Sequence, residues 1–208
     1  MLLVMTTVKT RRQEYADQTR AAVLQAATTL FAERGYARTS IDDVAVAARV
    51  SRGTVYGHFD GKQALFEAAL AEQERSVTEH LQALALTYDD PFEGCVAALR
   101  AFLDVCRDTT YGHVVMREGP AALPYAQWLR CAEPYSLSTT RALLALLVDA
   151  GVVAPVPLET ASRMLHGLLA SAAVLIAESD ADAEAQARVR EETEEVLLRI
   201  VEGLRLPA

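Results

Sequence analysis

Cysteine is scarce in this chain, with three residues, Cys95, Cys106 and Cys131, among 208. Three thiols make no disulfide framework, and no Cys-x-x-Cys pair offers metal-ligand spacing. Cys95 and Cys106 fall on one predicted helix, ~16 Å apart at 1.5 Å per residue, too far for a mutual bond. Seven prolines and ten glycines are too few for a fibrous or disordered protein. Long β-branched runs are missing and Leu and Ala dominate, which predicts an all-α chain. No apolar run approaches the ~18 residues that span a membrane. The opening MLLVM is short and lacks the preceding positive charge of a secretory signal. G-x-S-x-G, P-loop and H-E-x-x-H patterns are absent. The expectation is a cytoplasmic, non-enzymatic protein with no cofactor, no metal and no membrane partner.

What is present is an uneven charge distribution. The chain is about half apolar, 51%, enough to bury a real core. Its net charge is −8, yet residues 1–62 carry nine Lys/Arg against six Asp/Glu, a balance of +3. The remaining chain therefore holds −11. A basic segment joined to an acidic body suits a nucleic-acid reader with a separate domain that does not touch nucleic acid.

The most informative stretch is 39–62, TSIDDVAVAARVSRGTVYGHFDGK. Ser40 and Asp43 have capping-box spacing. Ile41, Val44, Ala45 and Ala48 give one apolar face at helical spacing. Residues 49–51 form a turn. Ser51 caps a second short helix through Tyr56, and Asp60 with Gln63 reads as a third cap. Closely spaced helix starts of this kind fit a helix-turn-helix whose second helix enters a DNA major groove.

Around this stretch, residues 1–16 read as a mobile basic arm with Lys9, Arg11 and Arg12. A first helix starts at Asp17 or Thr19, buries Val23, Ala27, Leu30 and Phe31, and ends near Arg34 with Gly35 as a left-handed cap. A long helix runs from about Asp60 to Thr87. It belongs to both halves of the chain and links them mechanically. Pro91 opens the next helix. A short helix over 110–118 is stopped by Gly119-Pro120, and Pro134 marks a break or restart. Gly151 ends the helix before it, and Val152 to Pro157 is a loop. Two closing helices cover 158–178 and, capped by Ser179 with Asp182, about 182–204.

Residues 51–70, SRGTVYGHFDGKQALFEAAL, resemble the DNA-binding signature of TetR/AcrR-type repressors. The likeness extends upstream through Phe31-Ala32-Glu33-Arg34-Gly35-Tyr36 and from Thr39 to Ala45. It implies a TetR-like fold of about nine helices. Residues 17–62 would form the three-helix reading domain, and 63–208 a helical bundle for ligand binding and dimerisation. The implied function is a nucleoid-associated regulator, most simply a repressor. It would bind palindromic double-stranded DNA as a homodimer and be released by a small, mainly apolar or aromatic effector of unknown identity. An architectural or scaffold protein without an inducer is the alternative.

The candidate DNA contacts are Thr39, Ser40, Arg49, Ser51, Arg52, Gly53, Thr54, Tyr56, His58 and Lys62. Gly53 and Thr54 permit close approach, Arg52 suits guanine or phosphate, and Lys62 sits in the first turn of the next helix. The resemblance assigns Tyr56 and His58 to phosphates. Two positions depart from the family pattern. Arg49 stands where the family usually has Gly, at a cost of roughly 1–2 kcal/mol if left-handed. Gly57 loosens the short recognition helix by roughly 1 kcal/mol relative to Ala. Effector candidates are Phe102, Cys106, His113, Met116, Tyr125, Trp128 and His166. Dimer candidates are Leu165, Leu168, Ala172, Leu175, Val189, Val196 and Ile200.

Overall fold

Thr10 opens the first helix with a reciprocal cap. Its hydroxyl accepts from the Gln13 N–H at 3.3 Å, and Gln13 Oε1 accepts from the Thr10 N–H at 2.9 Å. The computed structural model describes residues 10–107, 110–179 and 183–206. Lys9 and the rest of the expected arm before residue 10 lie outside the described residues. Arg11 and Arg12 do not: they form the first turn of α1, Arg11–Arg38. The helix starts earlier than expected because Thr10 and Gln13 supply a cap that the search for apolar periodicity passes over.

α1 is broken at Gly35, whose φ of 79° and ψ of 164° lie outside helical space. α2 spans Ile41–Ala47 and α3 Arg52–His58. α4, Gly61–Ala85, is the long connecting helix. Asp60 makes no capping hydrogen bond there, contrary to the expected Asp60–Gln63 pair. α5, Pro91–Val105, starts with Asp90 accepting from the Phe92 N–H at 2.8 Å. Gly94 lets α5 cross α4 closely, since a Cβ there would lie 2.2 Å from the Ala85 carbonyl oxygen.

Gly119-Pro120 does not stop the following helix. A π-helical turn, Gly112–Glu118, continues directly into α6, Gly119–Ala122. Pro falls in the first turn of α6, where its missing N–H is tolerated. Pro134 likewise falls in a π-helical turn, Glu133–Leu137, joining α7, Tyr125–Ala132, to α8, Ser138–Asp149. α9 is Leu158–Glu178 and α10 is Ala183–Glu202. Asp182, the expected cap partner of Ser179, lies outside the described residues. Counting the π-joined segments as single rods, the described chain is nine helical rods, as expected for an all-α fold. One antiparallel bridge, Val153 to Arg205, ties the α8–α9 loop to the end of α10.

The main core runs without a gap from Val23, Phe31, Val44 and Val55 through Leu65 and Phe66 to Val114, Trp128, Ile176 and Leu197. The reading head and the body therefore share one apolar cluster. α9 corrects the expectation about long apolar runs. Its best 18-residue window has mean hydropathy 1.4, long and apolar enough to cross a membrane by length and composition. In this fold α9 packs on α8, α10 and the first π-helical turn.

Candidate DNA-reading face and effector cavity

The turn between α2 and α3 is built on Arg49. Its φ of 56° makes it the one non-glycine residue with positive φ among those described. The Arg49 N–H donates to the Val46 carbonyl at 3.1 Å and the Val50 N–H to the Ala45 carbonyl at 3.0 Å. That pair is a Schellman motif, with arginine at the position glycine normally takes. The left-handed turn expected from the sequence is therefore present, strain included, and it leaves Arg49 exposed.

Ser51 then caps α3, accepting from the Thr54 N–H at 3.1 Å, with the two hydroxyls 2.8 Å apart. Val55 is fully buried and anchors α3 to the core. Ser51, Arg52, Gly53 and Tyr56 point the other way and are exposed, with Thr54 and His58 partly so. Arg52 reaches Asp42 at 3.0 Å, lies over the Tyr56 ring at 5.5 Å and donates to its hydroxyl at 3.4 Å. Exposed pairs of this kind contribute ~0–1 kcal/mol, so a phosphate or base can take Arg52 from Asp42 at little cost. Lys62 packs over the Tyr36 ring at 4.2 Å and donates to the Ala37 carbonyl at 3.3 Å. Ser40 is exposed and completes its capping box, with the Asp43 carboxylate held below its ordinary pKa by the Ser40 hydroxyl and N–H.

Thr39 is the exception. It is 2% exposed, and its hydroxyl donates to the Gly35 and Leu30 carbonyls at 2.9 and 3.2 Å. It closes the broken end of α1 and does not face solvent. The remaining nine predicted contacts are at least partly accessible on the α2–α3–α4 surface.

The second site is a cavity of ≈ 160 Å³ walled by α4, α5, α7, α8, α9, α10 and the two π-helical turns. Phe102, Met116, Trp128 and His166 line it, as expected. Three other effector candidates do not. Tyr125 is 66% exposed and stacks outside Trp128. Cys106 is buried beside the cavity, and burial pushes its thiol well up. His113 turns toward the reading head, with Nδ1 3.2 Å from the Ala32 carbonyl and Nε2 3.2 Å from Arg117.

Sequence reasoning missed Glu74, Tyr111 and Ser136 in the cavity wall. Glu74 was findable: Phe66, Leu70, Glu74 and Thr78 recur every four residues along α4, so an acid sits on the buried stripe. Burial pushes Glu74 up to about 7, against the lowering influence of the nearby Ser136 and Tyr111 hydroxyls. His166 lies 2.9 Å from the Ser136 hydroxyl, and burial lowers its pKa.

Cavity and reading head are linked twice. α4 carries Lys62 at its start and Glu74 in its middle. The first π-helical turn carries Met116 in the cavity wall and ends on Glu118, which accepts from the Tyr36 N–H at 2.6 Å. Gly35 is needed there on two counts, its positive φ and the room for Glu118, whose Oε1 would stand 2.8 Å from any Cβ.

A helix-turn-helix with an exposed, cap-stabilised recognition helix is thus tethered to a hollow helical body. The family described as "Tetracyclin repressor-like, C-terminal domain" matches residues 92–204, and "Bacterial regulatory proteins, tetR family" matches residues 23–69. The chain belongs to the TetR family of transcriptional regulators. Curated relatives match over less than half of this chain. The HTH-type transcriptional regulator TtgR of Pseudomonas putida is 38% identical over 91 residues, 43% of this chain and 42% of the relative. The repressor Rv3405c of Mycobacterium tuberculosis is 46% identical over 76 residues, 36% of this chain and 38% of the relative. The match thus spans well under half the length of either. A solved TetR-family regulator from Pectobacterium atrosepticum (ECA1819) aligns with 96% of this chain and 99% of its own, at 29% identity and a TM-score of 0.79. These relatives are regulators, not enzymes.

The dimer candidates separate by position. Leu168, Ala172, Leu175, Val189 and Val196 line an open groove between α9 and α10. Leu175 and Val196 are each 55% exposed, and Ile200 and Met164 are exposed beside them. Leu165 does not join this face. It turns inward, lining the cavity and packing on a smaller core around Phe92 and Leu147.

Proposed function

We propose that this TetR-family chain is a ligand-responsive repressor that binds a palindromic operator as a homodimer. Residues 17–62 read DNA and residues 63–208 hold the effector and the dimer contact. The observation that carries this reading is α4, which bears a candidate phosphate-binding lysine at one end and lines a mostly apolar cavity along its middle. A guest against α4 displaces the helix whose start positions Lys62. It also presses on the π-helical turn that clamps Tyr36 through Glu118. The exposed apolar groove of α9 and α10 supplies a self-complementary surface for a two-fold dimer, which sets the spacing of two reading heads. Small, mainly apolar or aromatic effectors fit a cavity walled by Phe102, Met116, Trp128 and leucines.

The test is selection of bound fragments from genomic DNA by the purified protein, followed by fluorescence anisotropy on the recovered sequence across a salt series. Palindromic sites bound by two chains support the reading. Absence of any sequence preference over competitor DNA would sink it.

A further inference from the structure

Most polar side chains of the cavity wall are hydrogen-bonded within the protein, and among the described residues Glu74 Oε2 is the one fully buried side-chain nitrogen or oxygen without a partner. The Thr78 and Thr140 hydroxyls donate to the Glu74 and Ser136 carbonyls at 2.7 and 2.8 Å. Thr139 accepts from Gln82 at 2.8 Å, and Trp128 Nε1 donates to the Val115 carbonyl at 3.0 Å. The Ser136 hydroxyl donates to the Ala132 carbonyl at 3.2 Å and lies 2.9 Å from His166 Nε2; it is also near enough to Glu74 to favour its charged form, without a hydrogen bond to Oε2. Glu74 is 2% exposed. Its Oε1 accepts from the Tyr111 hydroxyl at 3.3 Å, while Oε2 has no hydrogen-bond partner among the described residues. A buried acceptor left without a donor is destabilising, and such atoms in native proteins call for an explanation.

Size and charge narrow what could supply that donor. The volume of ≈ 160 Å³ is near the ~150 Å³ of an apolar cavity that takes one benzene ring. No Lys or Arg is among the residues lining it. Above pH 7, where Glu74 is ionised, an anionic guest would place like charge beside a carboxylate in a low-dielectric site with nothing to neutralise either. An apolar guest without a donor would fit the walls and leave Oε2 as it is.

Resting on the reading that this cavity holds the effector, we propose that Glu74 is its recognition residue. The effector class is a ring-sized, non-anionic molecule with an apolar body and one hydroxyl, amide or amine hydrogen donated to the Glu74 carboxylate, whose buried Oε2 turns toward the cavity to accept it. The same contact fixes the guest to α4. Phe102 and Trp128 pack its body.

The experiment is calorimetric titration of the full chain at pH 8, where Glu74 is ionised, with phenol, toluene and benzoate as probes. It uses the wild type, Glu74→Met, which removes the acceptor, and Glu74→Gln, which keeps a weaker one. The wild type binds phenol roughly tenfold or more tightly than toluene, the worth of one buried hydrogen bond to a carboxyl group, and does not bind benzoate. Glu74→Met loses the preference for phenol while still binding toluene, and Glu74→Gln keeps part of it. If Glu74→Met fails to fold, Glu74→Gln decides. A reduced phenol-to-toluene ratio supports the assignment, and an unchanged ratio overturns it. Equal wild-type affinities for phenol and toluene, benzoate binding as tight as phenol, or no binding of any probe also overturn it. Operator binding by the unliganded protein is measured separately. Its loss would refute the regulator reading while leaving the calorimetric outcome to stand or fall alone.

Discussion

Replacing Glu74 with glutamine changes how stability depends on pH, and the size follows from its surroundings. Glu74 has an ordinary carboxyl value of 4.5 in the unfolded chain and about 7 in the folded one, because burial disfavours the charged form. The folded value is raised, so between pH 4.5 and 7 the folded state holds a proton that the unfolded state has released. Stability therefore falls as pH rises through that window and levels off above it. The full penalty, at pH 8, is roughly 3 kcal/mol, from about 1.36 kcal/mol for each unit of difference. Glutamine has the same shape and no charge. Glu74→Gln should match the wild type within about 1 kcal/mol at pH 4.5 and exceed it by roughly 2–3 kcal/mol at pH 8. For a chain of this size each kcal/mol shifts Tm by about 2–4 °C. Urea denaturation of both proteins at several pH values, at one fixed chain concentration, measures the difference. Titration of other groups largely cancels between the two, although His166 across the cavity can respond to the lost charge. A Glu74→Gln advantage that is the same at pH 5 and pH 8 would refute the buried, raised carboxyl.

Further outcomes follow from other contacts. Lys62→Ala weakens operator binding at all sequences tested and reduces the salt slope by about one unit, whereas Tyr56→Phe weakens it without removing a charge; anisotropy across a salt series reads both. Arg49→Gly relieves the left-handed strain and raises stability by roughly 1 kcal/mol, so a urea midpoint that falls would show that Arg49 makes compensating contacts in the folded chain. Val196→Asp puts a charge in the α9–α10 groove and yields a monomer in sedimentation equilibrium with helicity unchanged; a dimer that persists would place the interface elsewhere. Glu118→Ala removes the acceptor that holds the part-buried Tyr36 N–H and lowers stability by about 1 kcal/mol, measured by urea denaturation.

Local chemistry alone determined much of this protein. Ser40 with Asp43, Ser51 with Thr54, and Asp90 before Pro91 mark helix starts because capping needs only residues within one turn. The left-handed turn at Arg49 is legible for the same reason. The composition fixes the all-α class, and the motif around Ser51 to Lys62 identifies the family. Tertiary structure decided what depends on residues distant in sequence. Thr39 reads as a surface hydroxyl until the fold closes the end of α1 over it. Pro120 and Pro134 read as breaks, yet π-helical turns carry the chain through them because packing on both sides keeps the segments helical. His113, Tyr125 and Leu165 looked suited to the cavity, the cavity and the dimer face. The rotation of their helices, set by packing against α1, α4 and α5, turned each elsewhere. Glu74 shows the limit most clearly. Its place on the apolar stripe of α4 is written in the four-residue spacing, but the loneliness of its Oε2 is not. That arises only where six helices meet around a space that no side chain fills.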